Sequence, residues 1–483
     1  MKALIGILLL GLLFANLPSH ANIKLPALIG NHMVLQQNST IKVWGKATPG
    51  EKVEVTASWN AKMQQTITKS DSTWMLQMHT PTAGGPYTIQ LKGENTIVLS
   101  DILLGEVWLC SGQSNMEKPI GIKPGQKPVF SYEEEIKNAN YDQIRLFHVP
   151  RKMVAEIQTK VEGNWETCSS KSVDSLQFSA VAYFFGRRLY NELLIPIGLI
   201  DATWGGTRIE PWTPVEGFKM IPSLDSIYQS VLTGAKAEKH APTLLYNGMI
   251  APLINYSISG CIWYQGESNL MDVNNGLGYE DRMKALVYGW REQWKNPEMP
   301  FYYVQIAPYR YYKERSDRVK SADELPLLWE AQTNCLSIPN TGMIVTTDLV
   351  DDLSDIHPRN KQDVGLRLAN LALNKTYGKN KIAAESPRYK SLKIKNNKVI
   401  LSFNNTEKAL MTKPGKDLTF FTIANEDRNF VNAQAIIKKN KVIVYSEEVQ
   451  HPIAVRFAWD EEAQPNLFNS SGLPAIPFRT DNW

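Results

Sequence analysis

Cysteine is scarce in this chain, with four residues in 483. They stand at 110, 168, 261 and 335, far too widely spaced for the paired C-x-x-C ligand sets of zinc sites. Neither a metal, nor an organic cofactor, nor a catalytic thiol is expected. Cys110 and Cys261 fall in apolar runs and read as free buried residues. An excess of one charge is also missing, since 52 Lys and Arg against 48 Asp and Glu leave a net charge of +4. No basic block or aromatic-interleaved Lys/Arg run occurs, which argues against a nucleic-acid partner. Beyond the N-terminus no apolar run approaches the ~20 residues that span a bilayer. Internal repeats and low-complexity tracts are absent too.

The one long apolar run stands at the start. Lys2 precedes Ala3 to Ala15, and Ser19-His20-Ala21 follows. A charged start, a short apolar stretch and a small-x-small ending describe an export signal cleaved after Ala21. The run is too short for a membrane anchor. An exported protein, periplasmic or secreted, is expected, with no membrane span after cleavage.

The rest divides into three parts, at 22–100, 101–377 and 378–483. The first holds short alternating strands such as Thr40 to Trp44, Lys52 to Ala57 and Tyr87 to Leu91, broken by Pro49-Gly50 and Gly84-Gly85-Pro86. It predicts a small β-sandwich. In the second, strands alternate with helices, which argues for a parallel sheet covered on both faces. Met283, Leu286, Val287, Trp290 and Trp294 recur at i, i+3, i+4, i+7 and i+11, one apolar face of a helix over Tyr279 to Trp294. Further helices are expected over Ser179 to Leu194 and Gln362 to Leu373. In the third part strands return, with a hairpin around Asn396-Asn397.

Four apolar runs of the second part end in loops rich in Gly and polar groups. Val107 to Cys110 leads into Gly112-Gln113-Ser114-Asn115-Met116. A serine presented at a strand's carboxyl end is how esterases expose a nucleophile. A serine needs a base, and of seven His only His357 also follows a probable strand end. The segment around it holds Asp348, Asp351, Asp352 and Asp355, any of which suits an imidazole partner, although a solvated acidic loop reads the same way. Ile197 to Ile200 leads into Trp204-Gly205-Gly206-Thr207-Arg208, and Ile258 to Trp263 into Tyr264-Gln265-Gly266-Glu267-Ser268-Asn269. Glycines there let backbone N–H groups approach an oxyanion, and a Gln amide adds a donor.

These four loops together resemble the SGNH hydrolase superfamily, and within it the carbohydrate acetylesterases that include sialate O-acetylesterase. The similarity extends to Met33-Val34-Leu35-Gln36-Gln37, to Val43 to Gly50, to Leu245 to Leu253 and to Gly472 to Asp481, so it runs from about residue 24 to the end. It implies an α/β fold: an SGNH-hydrolase-like parallel sheet with helices on both faces, flanked by N-terminal and C-terminal β-rich units. It implies Ser114 as nucleophile and His357 as base. The oxyanion hole would be the Ser114 N–H, Gly206 and Gln265. The superfamily acid stands three residues before the histidine. Here that position is Ser354, and an aspartate falls at 355. Asp355 is the first choice of acid, Asp348 the second, and a Ser–His dyad the third.

The expected partner is an O-acetylated carbohydrate, bound by Gln113, Trp204, Arg208, Glu267 and Asn269. Arg208 suits a sialic acid carboxylate, or a structural ion pair. Trp204, Trp212 and Trp263 are candidates to stack on a sugar ring, although Trp263, at a strand end, reads rather as core. O-acetylated sialic acids are the first substrate choice, and acetylxylan or another polysaccharide the second. A glycoside hydrolase using Glu267 and a loop aspartate, or a noncatalytic sugar-binding protein, would leave Ser114 and His357 without a role. Oligomeric state stays open.

Overall fold

The computed structural model describes residues 22–234, 240–272, 276–412 and 415–483. The expected export signal, residues 1–21, lies outside the described residues.

The architecture is organised around strand β1 (Thr96–Gly112). Its first residues alternate in burial, with Val98 out and Leu99 in, as in a strand with one wet face. From Ile102 onward every residue is buried, so both faces are covered. The strand pairs antiparallel with Gly84–Lys92 and then takes parallel partners. One strand thus runs from the N-terminal β unit, across residue 100, into the central sheet.

The other central strands are β2 (Tyr141–His148), β3 (Trp165–Cys168), β4 (Ile197–Thr203), β5 (Gly260–Tyr264), β6 (Phe301–Val304) and β7 (Thr341–Ile344). Their order is β7-β6-β5-β1-β4-β2-β3. All neighbours are parallel except β2 and β3. The sheet is therefore mixed rather than purely parallel. Its β3 edge is antiparallel, and β1 carries antiparallel N-terminal strands with it. The chain leaves β1 toward one side of the sheet, returns through β4, then crosses to build β5, β6 and β7 on the other. The carboxyl end of β1 is thus the topological switch point, where open α/β sheets bind ligands. Register sharpens this, because Gly112 lies opposite both Thr203 and Tyr264. Three loops therefore start at one level.

The helices that bear on the site are α1 (Ser114–Glu117), α2 (Ala180–Leu193), α3 (Tyr279–Trp294) and α4 (Lys361–Lys375). Ser179 caps α2, its side chain accepting from the Ala182 N–H. Side chains alternate along strands, so Trp108 and Tyr302 stack on one face of the sheet beneath Phe185 of α2. Trp263 and Phe301 meet Trp290 of α3 on the other. The apolar stripe on α3 is core.

The N-terminal strands share one continuous apolar core with the central sheet. The C-terminal sheets enclose a core of their own, around Val399, Leu401, Phe421, Val442 and Phe457. All four cysteines are free and buried, and burial pushes each thiol up, Cys168 to about 12.

Helix α4 starts four residues after His357 and packs on α2 through Gly365. A Cβ there would lie 2.6 Å from the Phe184 Cβ and 2.8 Å from the Phe185 nitrogen. Gly365→Ala is expected to destabilise the protein by about 1–3 kcal/mol, the usual range for overpacking. A urea midpoint lowered at unchanged slope checks it, and an unchanged midpoint contradicts the close approach.

Candidate active site

Gly112 ends β1 with φ +142°, and a Cβ there would sit 2.2 Å from the Tyr264 carbonyl oxygen. Only glycine fits. The Gln113 N–H then donates to that same carbonyl (3.0 Å), and the chain turns into α1. Gln113, Asn115 and Met116 are buried, whereas Ser114 stays half-exposed. The Trp204 N–H donates to the Gly112 carbonyl (3.1 Å) and starts the neighbouring loop. Gly205 lies against the serine: a Cβ on it would stand 3.2 Å from the Ser114 Cβ and 2.8 Å from Glu117 Oε2. Gly206 follows, exposed, at φ +69°. Among the described residues the N–H groups of Ser114 and Gly206 have no protein acceptor. Two free donors thus stand in the turns that flank the serine hydroxyl.

His357 arrives from the loop after β7, half-buried. The Asn115 side chain donates to the Ile356 carbonyl at 3.0 Å. The residue after the serine thereby holds the peptide before the histidine. Asp355 Oδ1 accepts from the His357 backbone N–H (2.9 Å) and lies 4.0 Å from Nδ1, an ion-pair distance rather than a hydrogen bond. Asp348 is gripped at 2.7 and 2.6 Å by both arms of Arg367. Asp352 takes Lys127 and Ser354. Of these three carboxylates, Asp355 is the one beside the imidazole. Burial pushes His357 down to about 3, and the cations Lys361, Lys118 and Lys123 add to this. The ring is neutral, with a lone pair to offer.

Beneath the serine the loops are joined by buried amides, as buried polar groups require. Gln265 Nε2 donates to Gln113 Oε1 (3.1 Å), Asn269 Oδ1 (2.7 Å) and the Thr207 carbonyl (3.2 Å). Two hydrogens face three acceptors, so the side chain has no donor left for an oxyanion. Its Oε1 accepts from the Tyr279 hydroxyl (2.9 Å). Asn269 also accepts from the Ile209 N–H and donates to Glu210. Gln113 and Asn269 therefore join loops, and Glu267 is buried with them. Trp204 stays half-exposed at the rim, under the Arg151 guanidinium. Arg208 pairs with Asp272 at 2.5 Å. Trp212 and Trp263 pack edge-to-face in the core, fully buried, and present no face to a sugar.

Two cations emerge that sequence reasoning passed over. Lys361, wholly buried, donates to Asn115 Oδ1 (2.7 Å) over the ring of Tyr264. Burial, with Lys118 nearby, pushes its amine down to about 7. Lys118 is buried as well and pushed down to about 8, chiefly by burial. Glu267 accepts from Asn115 Nδ2 (2.5 Å), and burial pushes its carboxyl up. Among the described residues no cluster of three His, Cys, Asp or Glu is arranged to hold a metal ion.

Known proteins share this arrangement of sequence and fold. A family model described as carbohydrate esterase, sialic acid-specific acetylesterase, matches residues 104–374. The human sialate O-acetylesterase is 31% identical over 522 residues, covering 98% of this chain and 95% of that protein. The rat sialate O-acetylesterase is 29% identical, covering 98% and 97%. The crystal structure of a carbohydrate acetylesterase from Xanthomonas citri superposes with a TM-score of 0.85 at 32% identity, covering 96% of this chain and all of that one. The motif loops built above lie within the matched span, and the chain belongs to the family of sialic acid-specific carbohydrate acetylesterases.

Proposed function

We propose that this protein removes O-acetyl groups from sialic acids through an acetyl-serine intermediate. The observation that carries the reading is the Asn115 hydrogen bond to the Ile356 carbonyl, which ties the serine turn to the histidine loop at the switch point of the sheet. Ser114 Oγ attacks the acetyl carbonyl while His357 takes its proton. The N–H groups of Ser114 and Gly206 stabilise the oxyanion, each worth about 3–4 kcal/mol of barrier. His357 returns the proton to the departing sugar oxygen. Water then repeats the sequence and releases acetate.

In this reading Asp355 orients the His357 loop through the backbone and supports the imidazolium across 4.0 Å. Gln113, Gln265, Glu267 and Asn269 hold the machinery in place, and Trp204 and Arg208 border the sugar. A cleft of about 530 Å³ opens beside Asp355, lined by Gly125, Gln126, Lys127, Asp352 and Ser354. Its polar walls suit a glycan. The substrate choice is supported by the relatives named sialate O-acetylesterase. A second reading, an acetylated polysaccharide, is favoured by the Xanthomonas citri relative, described by carbohydrate acetylesterase activity without a stated sugar.

Export belongs to the same proposal, supported by the charged and apolar start of the chain. N-terminal sequencing of the protein recovered outside the cytoplasm should begin at Asn22. Recovery from the cytoplasm with Met1 in place would reject it.

Acetate release from O-acetylated sialic acid should exceed that from acetylated xylan, and Ser114→Ala should lower kcat by roughly 10⁴ or more. Release from xylan alone would move the substrate and keep the mechanism. Full activity in the variant would remove Ser114 from it.

The depressed histidine sets the pH response. A base neutral down to about 3 stays competent in the free enzyme well below the usual histidine range near 6.5. The acid limb of kcat/KM should therefore lie well below pH 6. Stability runs the other way: as pH falls from about 6.5 toward 3 the unfolded chain binds a proton that folded His357 refuses, so this group weakens the fold across that window. A half-maximal kcat/KM between pH 6 and 7 would contradict the burial argument.

A further inference from the structure

We propose that Lys361 is a positioning residue for acyl transfer: by holding the Asn115 amide in one orientation it fixes the histidine loop against the serine turn. This rests on the assignment of Ser114 and His357 above.

An asparagine amide has a donor edge and an acceptor edge that differ little in shape. Rotated by half a turn, Asn115 would aim its oxygen at Ile356 and lose the contact that joins the two loops. Three neighbours prevent that. In its protonated form Lys361 has donors only, so it meets the Oδ1 edge, at 2.7 Å. Glu267 Oε1 and the Ile356 carbonyl only accept, so they meet the Nδ2 edge, at 2.5 and 3.0 Å. Each of the two Nδ2 hydrogens then has one partner.

The placement of Lys361 has no local reason. It is the first residue of α4, where a cation opposes the helix dipole. It is wholly buried, and a lysine is almost never so unless a partner demands it. The charges that act on it are of both signs: Lys118 lowers its proton affinity, and Glu267, Asp355 and Asp351 raise it. Burial costs of this kind are tolerated at sites whose geometry they serve.

The competing account is that Lys361 only offsets the buried charge of Glu267. Lys361→Met/Glu267→Gln removes both charges together and leaves a side-chain amide oxygen at position 267 to accept from Asn115. Each variant is assayed on p-nitrophenyl acetate beside wild type and Ser114→Ala, with its melting temperature recorded. The double variant should melt within about 5 °C of wild type. Its kcat should be about 30–100-fold lower, as a small misplacement of reacting groups costs, with KM within about twofold. Asn115→Ala should lower kcat by a similar factor, and the triple variant should fall no further. A double variant within about threefold of wild-type kcat overturns the proposal, since charge balance is then the whole role. If the double variant does not fold, Asn115→Ala decides: unchanged kcat overturns the proposal, and a loss confined to kcat supports it. Hydrolysis that survives Ser114→Ala overturns the serine reading itself, and this proposal with it.

Discussion

The carbonyl oxygen of Tyr264 occupies the place where a side chain at position 112 would go. That steric fact brings β5 and β1 together at their carboxyl ends, because the same oxygen also accepts the Gln113 N–H. Gly112 in turn receives the Trp204 N–H on its carbonyl. Three strands therefore finish at one level and their loops share one backbone junction. A side chain at 112 would push β5 away and break the junction at its centre. Ser114 stays half-exposed between neighbours that are buried in that packing.

The site so formed is unusually polar beneath its surface. Gln113, Gln265, Asn269 and Glu210 form a chain of buried hydrogen bonds linking the loops after β1, β4 and β5. Asn115 with Glu267 and Lys361 forms a second, linking the serine turn to the histidine loop. Such networks rigidify where their members are satisfied and are costly where one is not, and in the second Glu267 Oε2 is buried without a hydrogen-bond partner among the described residues. An apolar floor would be easier to bury, but it would not specify orientation. Orientation matters more under the proposed mechanism, in which a nucleophile and its base are held on separate loops.

Much of this was legible in the sequence. The stripe of Met283, Leu286, Val287, Trp290 and Trp294 marked α3 because burial on one face imposes a helical period. Apolar runs ending in Gly and polar residues marked the loops of the site. Other features were hidden because they depend on contacts remote in the chain. A boundary near 100 follows from the change in hydrophobic pattern, yet β1 crosses it without a break, since a strand can pass from a half-wet sheet to a fully covered one without changing conformation. Gln265 looked like an oxyanion donor because its amide follows a strand end and the family resemblance implies that role. Only the structure shows that Gln113, Asn269 and Thr207 take its hydrogens. Lys361 carried a faint signal, a cation at a helix start, but nothing local separates it from a solvated one.

The electrostatics of the resting site pose a question that the reaction itself answers. A histidine surrounded by Lys118, Lys123 and Lys361 is a weak base, and a weak base is a poor match to a serine hydroxyl. The same cations favour negative charge nearby. In the proposed mechanism, attack on the acetyl carbonyl forms an oxyanion between Ser114 and Gly206. In that mechanism the charge would raise the proton affinity of His357 while the proton is being transferred. In that mechanism Asp355, at 4.0 Å from Nδ1, would support the imidazolium as it forms, on a ring that starts neutral. On the proposed mechanism the site is thus set for the charge of the transition state rather than for that of the free enzyme, which is what differential stabilisation requires.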